Sequence, residues 1–408
     1  EVGEGKGKEA KLRERQSIRN RKNDRDRISE LPITVLLHIM EFMNTNEAIK
    51  TCVLSKHWKD IWKSLTSLKL DSSILGVANF DKFVSGVLSS RDASISLLNL
   101  HIVLHHCIDF ELLHDIMEYA VLHNVQNLTL IIFVHYKFHF VFPSVIYFCS
   151  SLTNLHLSHP FWELPKSLQL PALKTLHLEN ACFTSPDNDF AEPFSSCVSL
   201  NSLHLIDCSL VKHSKALCIN NSNLQRLHLS LTVVDTYKIV LSTPNLTCLA
   251  IKNFYCEHQL SSPCNLSFLE VFIDASLRFD SPFFVILLQV LANVKKMTLS
   301  SRTIKTMRRV LSYGERVKNP LPCLVRLESL QVNIESDSKI SYREVNRIVK
   351  YLLQNSPLTT VQMKDFKFKK LLVEKVNKNL KQCSEHMRSG VFEGKGRPGK
   401  LKLKRTTI

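Results

Sequence analysis

Histidines recur at one position of a repeated sequence pattern. His156, His177, His204 and His228 each stand between the last two apolar residues of a Leu-x-x-Leu-x-Leu copy, and His101 does so in an earlier copy. Imidazoles bind transition metals and change charge between about pH 5 and 8. If the copies are neighbouring strands about 4.8 Å apart, the histidines form a ladder. Such a ladder could contact a ligand, a metal or a pH-dependent partner, or it could simply cover a sheet with polar groups. We favour polar cover, and we expect any substrate to touch this strip.

Other motifs that carry chemistry are missing from the sequence. It contains no His-Glu-x-x-His, no Gly-x-Ser-x-Gly and no phosphate-binding P-loop. Its twelve cysteines include no Cys-x-x-Cys pair and do not group with other zinc ligands. We therefore predict a non-catalytic chain without a cofactor or a bound metal. Its thiols are expected to be mostly buried and reduced, as in the cytoplasm or the nucleus.

The apolar pattern that carries the histidines extends through most of the chain. Eleven copies run from Leu65 to Val332, and their starts lie 20 to 33 residues apart. This period is typical of leucine-rich repeats, in which each turn adds one short strand to a shared core. Residues 65–320 are therefore predicted to form an α/β solenoid, an irregular horseshoe with a parallel concave sheet. The longer intervals have helical periodicity, at Asp81–Leu88, Phe110–Leu122 and Phe284–Leu291.

Residues 27–64, before the repeats, are predicted to form three short helices. The first begins at Pro32, where the missing N–H of proline costs nothing. The second follows an N-cap at Thr45 or Asn46, and the third follows Ser55. The third helix would place four apolar side chains on one face, namely Trp58, Ile61, Trp62 and Leu65. So small a unit buries little apolar area alone, which predicts a partner surface.

The same stretch resembles the plant form of the F-box. The matching residues are Arg27, Ile28, Ser29, Leu31, Pro32, Leu36, Ile39, Phe42, Thr45, Ala48, Thr51, Val53, Leu54, Ser55, Lys56, Trp58 and Trp62. The departures from the family pattern are Ile33, Asn44, Asn46, Cys52 and His57. None of them removes an apolar side chain expected to contact a partner. The resemblance implies docking on a Skp-type adaptor, and through it a cullin, by Leu31, Pro32, Leu36, Ile39, Phe42, Val53, Leu54 and Trp58. The alternative is a helical cap on the repeats that binds no partner.

The F-box-like stretch and the repeats together resemble plant F-box proteins with leucine-rich repeats. Residues 321–363 resemble the FBD region that often ends these proteins, although its last strand is hard to find in the sequence. The resemblance implies the substrate-recognition subunit of a Skp–cullin–F-box ubiquitin ligase, whose repeats hold a protein substrate. Two alternatives are a protein-binding module without ubiquitin transfer and a chromatin-associated protein that contacts DNA through a basic tail.

The chain passes from the F-box-like stretch to the first repeat without a spacer. Trp62 is followed by the repeat residues Leu65, Leu68 and Leu70, and no glycine or proline intervenes. A flexible linker would require a longer polar or glycine-rich segment. We therefore expect the F-box-like unit to pack rigidly on the first repeat.

The net charge of +16 is concentrated in two tails. Residues 1–27 carry +4 and residues 364–408 carry +10, which leaves +2 for residues 28–363. We expect residues 1–26 to be disordered, because they combine high charge with few apolar residues. In the lysine-rich C-terminal tail, Lys395–Lys400 resembles an AT-hook core, and it also fits a nuclear targeting run or a solubilising tail. No apolar run is long enough to span a membrane, and the charged N-terminus does not resemble a signal peptide.

Overall fold

The computed structural model describes residues 28, 30–74, 76–134, 141–185, 190–211, 214–231, 237–255, 259–263, 265–276, 283–312, 324–335, 340–354, 356 and 359–365. The predicted disorder of residues 1–26 and the AT-hook-like motif at 395–400 lie outside these residues. The chain divides into two compact units, and the boundary in the sequence lies between Asn223 and Leu224. No helix among the described residues is both long enough and apolar enough to cross a membrane.

Short helices form the N-terminal part of the first unit. They are α1 (Ile33–Glu41), α2 (Thr45–Lys50) and two 3-10 helices, Thr51–Val53 and Ile61–Ser64. The third predicted helix is therefore a 3-10 helix and not an α-helix. Its backbone hydrogen bonds join residues three apart, as from the Leu65 N–H to the Trp62 carbonyl at 3.1 Å. The four apolar side chains predicted on one face are nevertheless all buried, namely Trp58, Ile61, Trp62 and Leu65.

The N-cap of α2 is Asn44, so the predicted caps Thr45 and Asn46 were wrong. The backbone N–H of Asn44 donates to Glu47 Oε2 at 3.3 Å, which is half of a capping box. Thr45 has a different role, because its Oγ1 accepts a hydrogen bond from the backbone N–H of Lys69 at 2.8 Å. The hydroxyl thus joins the helix to the first repeat strand.

The repeats of the first unit form a parallel sheet in the order β1-β2-β3-β4-β5-β7. The strands are β1 (Ser67–Asp71), β2 (Asn99–Leu104), β3 (Asn127–Ile132), β4 (Asn154–Leu164), β5 (Thr175–Phe183), β6 (Phe190–Ala191), β7 (Ser202–Ile206), β8 (Ser209–Leu210) and β9 (Ala216–Asn220). Strand β8 pairs with the end of β5, and β6 pairs with β9. Helices α3 (Val77–Ser90) and α4 (Phe110–Leu122) fill the long intervals, close to the predicted positions.

One buried leucine ladder explains the spacing of the repeats in this unit. The strand register aligns Leu68, Leu100, Leu128, Leu155, Leu176 and Leu203. Each is at most 2% exposed. Because strand residues alternate between faces, the residue after each leucine points to the opposite face of the sheet. The predicted solenoid core is therefore confirmed, and the histidine position lies on the other face.

The second unit repeats the same plan. Its sheet order is β10-β12-β14-β15-β16-β17, and β11 pairs with β13. The strands are β10 (Arg226–Ser230), β11 (Lys238–Ser242), β12 (Cys248–Tyr255), β13 (Gln259–Ser261), β14 (Glu270–Ser276), β15 (Lys296–Ser300), β16 (Ser329–Ile334) and β17 (Thr360–Asp365). The helices are α5 (Phe283–Val290), α6 (Ser301–Ser312) and α7 (Tyr342–Leu352). The last strand, which was hard to find in the sequence, is β17, and it pairs with β16 along its whole length.

Hydrogen bonds join the N-terminal helices to the first repeat. The Thr66 hydroxyl donates to Glu41 Oε1 at 2.9 Å, and Lys69 Nζ donates to the Glu41 carbonyl at 2.7 Å. Helix α1 also packs against the 3-10 helix Ile61–Ser64. These contacts support the expected rigid junction, because the last residue of α1 and the first residue of α2 are both hydrogen-bonded to the start of the first repeat.

Cysteine burial in the first unit predicts selective chemical modification. Burial raises the pKa of Cys197 to about 11 and that of Cys208 to about 12, whereas Cys107 is exposed. Only a thiolate is alkylated rapidly. Native protein treated with iodoacetamide at mildly alkaline pH should therefore be labelled at Cys107, while Cys197 and Cys208 should react only after denaturation. Peptide mass spectrometry measures each site, and equal native labelling of the three would contradict the described burial.

Three of the eight described cysteines are buried, namely Cys149, Cys197 and Cys208. Cys107 is exposed and the other four are partly exposed. The expectation that most thiols are buried is therefore wrong for the described part of the chain. Half-buried positions at strand surfaces, such as Cys182 and Cys248, explain the difference, because an apolar residue in a strand can face either side of the sheet.

Candidate functional site

Three large apolar side chains around the first two helices are exposed to solvent. Phe42, just after α1, is 76% exposed, and Val53 and Leu54 at the following 3-10 turn are 82% and 62% exposed. We call these three residues the apolar anchors. Covering exposed apolar surface gains roughly 25 cal/mol per Å². Large side chains of this type are therefore candidates for contact with another protein.

The other residues predicted to bind an adaptor are not equally accessible. Pro32 is exposed, and Leu31 and Ile39 are half-buried. Leu36 is fully buried and Trp58 is 3% exposed, so their placement on the docking surface was wrong. Both side chains lie in the interior of the fold and can affect a partner only through the fold.

Two exposed apolar residues of α1 were missed by the sequence reasoning. Ile33 is 52% exposed and Val35 is 40% exposed. Ile33 had been noted only as a departure from the family pattern, which has an acidic residue there. For Val35 the available signal was the helical period, because Val35 lies off the face that buries Leu36 and Met40. Ile33 has the spacing of that buried face, so the period did not indicate its exposure.

Three of the predicted histidines form a ladder in the first unit. The register pairs His156 on β4 with His177 on β5, and His177 with His204 on β7. The rings of His156 and His177 stack with centroids 4.0 Å apart and planes 17° apart. The rings of His177 and His204 are 5.4 Å and 23° apart. The ladder prediction is therefore confirmed for these three strands.

The other two histidines of the pattern lie on β10 and β2. His228 lies on β10 of the second unit, where its register partner is Ala250. His101 on β2 pairs in register with Lys69 and Thr129. Burial lowers the pKa of His101, and the charge of His156 adds to the effect. Histidines at equivalent positions of the repeat thus have different surroundings.

Glu179 joins the histidine ladder and was not predicted. Its Oε1 lies 3.4 Å from His156 Nε2 and 3.1 Å from His177 Nε2. Contacts from His156 and His177 hold the pKa of Glu179 well below its usual value, with help from Ser158. We call His156, His177 and Glu179 the His–His–Glu cluster. Glu179 follows His177 by two residues, so strand alternation alone placed both side chains on one face and could have found it.

Glu179 is held through both its side chain and its backbone. The Ser158 hydroxyl donates to Glu179 Oε2 at 2.7 Å, and Trp162 Nε1 donates to the Glu179 carbonyl at 2.9 Å. Asn180 follows with φ of +56°, a left-handed conformation that asparagine tolerates. At the same place the register between β4 and β5 shifts, after Ser158. These features orient one carboxylate oxygen toward the two imidazoles.

The sequence matches known domain families in both parts of the chain. Residues 28–70 match the F-box domain, and residues 113–267 match the LRR repeats of the FBD-associated F-box protein At5g56370. Over 205 residues the chain is 30% identical to F-box/LRR-repeat protein 25 of Arabidopsis thaliana, a stretch that covers 49% of this chain and 76% of that protein. The chain belongs to the plant F-box/LRR-repeat family.

Two further Arabidopsis thaliana relatives of this F-box/LRR-repeat chain are longer than the matched region. Putative F-box/FBD/LRR-repeat protein At4g13965 is 33% identical over 235 residues, which are 55% of this chain and 53% of that protein. F-box/LRR-repeat protein At5g02910 is 28% identical over 318 residues, or 73% of this chain and 64% of that protein. The chain thus spans about half to two thirds of the length of these relatives.

The matched domains coincide with the two surfaces described above. The F-box match contains all three apolar anchors, and the LRR match contains β4, β5 and β7 with their histidines. The family resemblance seen in the sequence is therefore confirmed. Both matched domains are of the kind that binds other proteins.

Proposed function

We propose that this chain is the substrate-recognition subunit of a Skp–cullin–F-box ubiquitin ligase. The observation that carries the proposal is the exposure of the apolar anchors Phe42, Val53 and Leu54 within the F-box match. The F-box docks on a Skp-type adaptor through these residues, with Pro32 and the exposed parts of Leu31 and Ile39 at their side. The transfer chemistry belongs to the conjugating enzyme recruited elsewhere in the complex.

The repeats supply the second binding surface in this proposal. Substrate contact is placed on the sheet face that carries His156, His177 and His204, and on the same face of the second unit at His228. Parallel strands present a rigid row of side chains on this face, which suits a protein partner. The protein would act in the cytoplasm or the nucleus, where its free thiols stay reduced.

The junction between the F-box and the first repeat affects ubiquitin transfer in this proposal. Glu41 and Thr45 hold the first repeat strand through hydrogen bonds from Thr66 and Lys69. A substrate on the first unit would consequently stay at a fixed distance from the adaptor. Fixed geometry raises the effective concentration of the reacting groups, which favours ubiquitin transfer to a limited set of lysines.

Replacing Leu54 by aspartate is the sharpest test of adaptor docking. A buried anchor at an interface typically contributes about 2 kcal/mol or more. The variant should therefore bind a recombinant Skp-type adaptor at least about thirtyfold more weakly than the wild type. Biolayer interferometry on the full chain measures the dissociation constant. The matched control is Leu122→Asp, since Leu122 is 71% exposed on α4 and lies outside the F-box match.

The control should bind the adaptor like the wild type, and both variants should keep the wild-type melting temperature. Equal binding by Leu54→Asp and the wild type, or no adaptor binding by the wild type, would refute the docking proposal. Ubiquitin transfer is measured separately, in a reconstituted ligase with substrates captured from plant extract. Adaptor binding without any transfer would leave only a protein-binding module.

A further inference from the structure

We propose that His156, His177 and Glu179 form a binding site for a divalent transition metal, with zinc as the best-suited ion. This inference goes beyond the proposed ligase role and replaces our expectation that the chain binds no metal. The three residues lie on the neighbouring strands β4 and β5, and their ligating atoms all lie within 4.8 Å of one another. Two imidazoles and one carboxylate form a ligand set that zinc accepts.

The spacing of the ligating atoms fits a single ion. With zinc–ligand bonds of about 2.0–2.1 Å, the ligands of a tetrahedral site lie about 3.3 Å from one another. Glu179 Oε1 lies 3.1 Å from His177 Nε2 and 3.4 Å from His156 Nε2. Two of the three edges of the ligand triangle thus already have the required length. The third edge joins the Nε2 atoms of the two stacked rings, whose planes are 17° apart. The rings must tilt further so that the lone pairs of both Nε2 atoms point at the ion.

The surroundings of the cluster supply the support that metal ligands need. Ser158 Oγ donates to Glu179 Oε2, which leaves Oε1 directed at the imidazoles. Trp162, which is 1% exposed, fixes the Glu179 backbone through its indole N–H. Such outer contacts orient ligands and typically change metal affinity about 10–100-fold. The ladder continues beyond the cluster, because the His204 ring stacks on His177.

The side chains of the cluster are partly exposed, at 25% for His156, 28% for His177 and 29% for Glu179. The two Nε2 atoms are themselves buried. An ion held by these three ligands keeps at least one coordination position that they do not fill. Zinc sites with three protein ligands keep such a position for water or for another donor. On this face, a histidine, cysteine or carboxylate of a bound protein could occupy it.

The second group of candidate ligands in the described chain lacks these features. His114, Asp115 and Glu118 on α4 are close enough to share an ion, but all three are exposed. Exposed acidic groups are common on helices, and no buried neighbour orients them in the way that Trp162 orients Glu179. We therefore assign the site to the His–His–Glu cluster alone.

Titration of the purified full chain with cobalt(II) tests the site directly. Cobalt(II) takes the place of zinc and reports its ligands by its visible absorption. We expect one equivalent to bind with the bands of nitrogen and oxygen ligation, without the intense thiolate charge-transfer band, and to be displaced by zinc. His177→Gln and Glu179→Gln should each weaken binding by about tenfold or more. His228→Gln is the matched control, because it removes a histidine from the same repeat position outside the cluster, and it should leave cobalt(II) binding unchanged.

A second measurement requires no variant. Zinc bound to the cluster should protect His156 and His177 of the wild-type chain from diethyl pyrocarbonate, while the modification of His228 stays unchanged. Peptide mass spectrometry reads each histidine. The proposal is overturned if the wild type binds no metal, if the cobalt(II) spectrum is that of thiolates, or if His177→Gln binds as tightly as the wild type. In those cases the short distances reflect direct contacts of Glu179 with the two imidazoles and no metal site.

Discussion

Replacing Ile61 by alanine is expected to lower the free energy of unfolding of the first unit by about 2–5 kcal/mol, the usual cost of truncating a buried isoleucine. Ile61 is 6% exposed and lies in the 3-10 helix that packs against α1. Leu65 follows that helix and leads directly into β1. A cavity at Ile61 therefore weakens the F-box and the first repeats together.

The three tryptophans make this coupling measurable. Trp58 and Trp62 report the F-box, and Trp162 on β4 reports the repeats. Urea denaturation of the full chain should be followed by tryptophan fluorescence, with and without Trp58→Phe and Trp62→Phe, so that Trp162 can be observed alone. Ile33→Ala is the matched control, because Ile33 is 52% exposed and such surface changes usually stay within about 0.5 kcal/mol.

The Ile61→Ala transition seen by Trp162 should shift to lower urea together with the transition seen by the F-box tryptophans. If the Trp162 transition stays in place while the F-box unfolds separately, the rigid junction is wrong. The same result would remove the basis for a fixed distance between adaptor and substrate, but it would leave adaptor docking itself untouched.

Arg91→Ala should destabilise the first unit by about 2 kcal/mol or more, since a buried carbonyl that loses its donor, here that of Leu65, costs about 1–3 kcal/mol and two part-buried hydrogen bonds are lost with it. Arg91 is 4% exposed. Its Nε donates to the Leu65 carbonyl at 2.9 Å and its Nη2 to the Ser96 carbonyl at 2.8 Å. Its Nη1 lies 3.2 Å from the Tyr119 hydroxyl of α4. One guanidinium thus joins the end of the F-box, the loop before β2 and a repeat helix.

Thermal unfolding of the full chain, followed by circular dichroism, measures the effect of the Arg91 change. Lys82→Ala is the control, because it removes an exposed cation from α3 of the same unit. Arg91→Lys should recover little of the stability, since an ammonium cannot reach three acceptors in the geometry of the planar guanidinium. A wild-type melting temperature for Arg91→Ala would show that these hydrogen bonds do not stabilise the junction.

The repeat period was sufficient to predict the solenoid. Leucines at every second position of a short strand all face the same side of the sheet. A period of 20 to 33 residues gives one strand in each turn of the solenoid. The register that aligns Leu68 with Leu100 and Leu128 follows from the same pattern, and it also aligns His156, His177 and His204. The sequence therefore determined both the core and the position of the histidine ladder.

The local backbone of the F-box was predicted less well. The burial of Trp58, Ile61, Trp62 and Leu65 was correct, but the segment ends in a 3-10 helix where an α-helix was expected. Helical periodicity indicates which apolar residues share a face. It does not distinguish the backbone hydrogen bonds of a 3-10 helix, which join residues three apart, from those of an α-helix, which join residues four apart. The distinction was decided by the repeat, because only two residues separate the end of the 3-10 helix from the first strand.

Which apolar residues of the F-box remain exposed was decided by the tertiary structure. Leu36 and Phe42 belong to the same family pattern, yet Leu36 is fully buried and Phe42 is 76% exposed. An amphipathic helix identifies an apolar face, but the 3-10 helix that packs against α1 helps to select the side chains that lose contact with water. The sequence alone therefore could not separate docking residues from core residues.

The His–His–Glu cluster shows the same division. The sequence alone determined that His177 and Glu179 share a face, because residues two apart in a strand point the same way. Only the tertiary structure brought His156 to the same carboxylate oxygen, since that contact depends on the register between β4 and β5 and on the Ser158 hydroxyl that turns Glu179 Oε1 toward both rings. Strand pairing and side-chain orientation decide whether the two imidazoles and the carboxylate come together at one point. The linear order of the residues does not specify this.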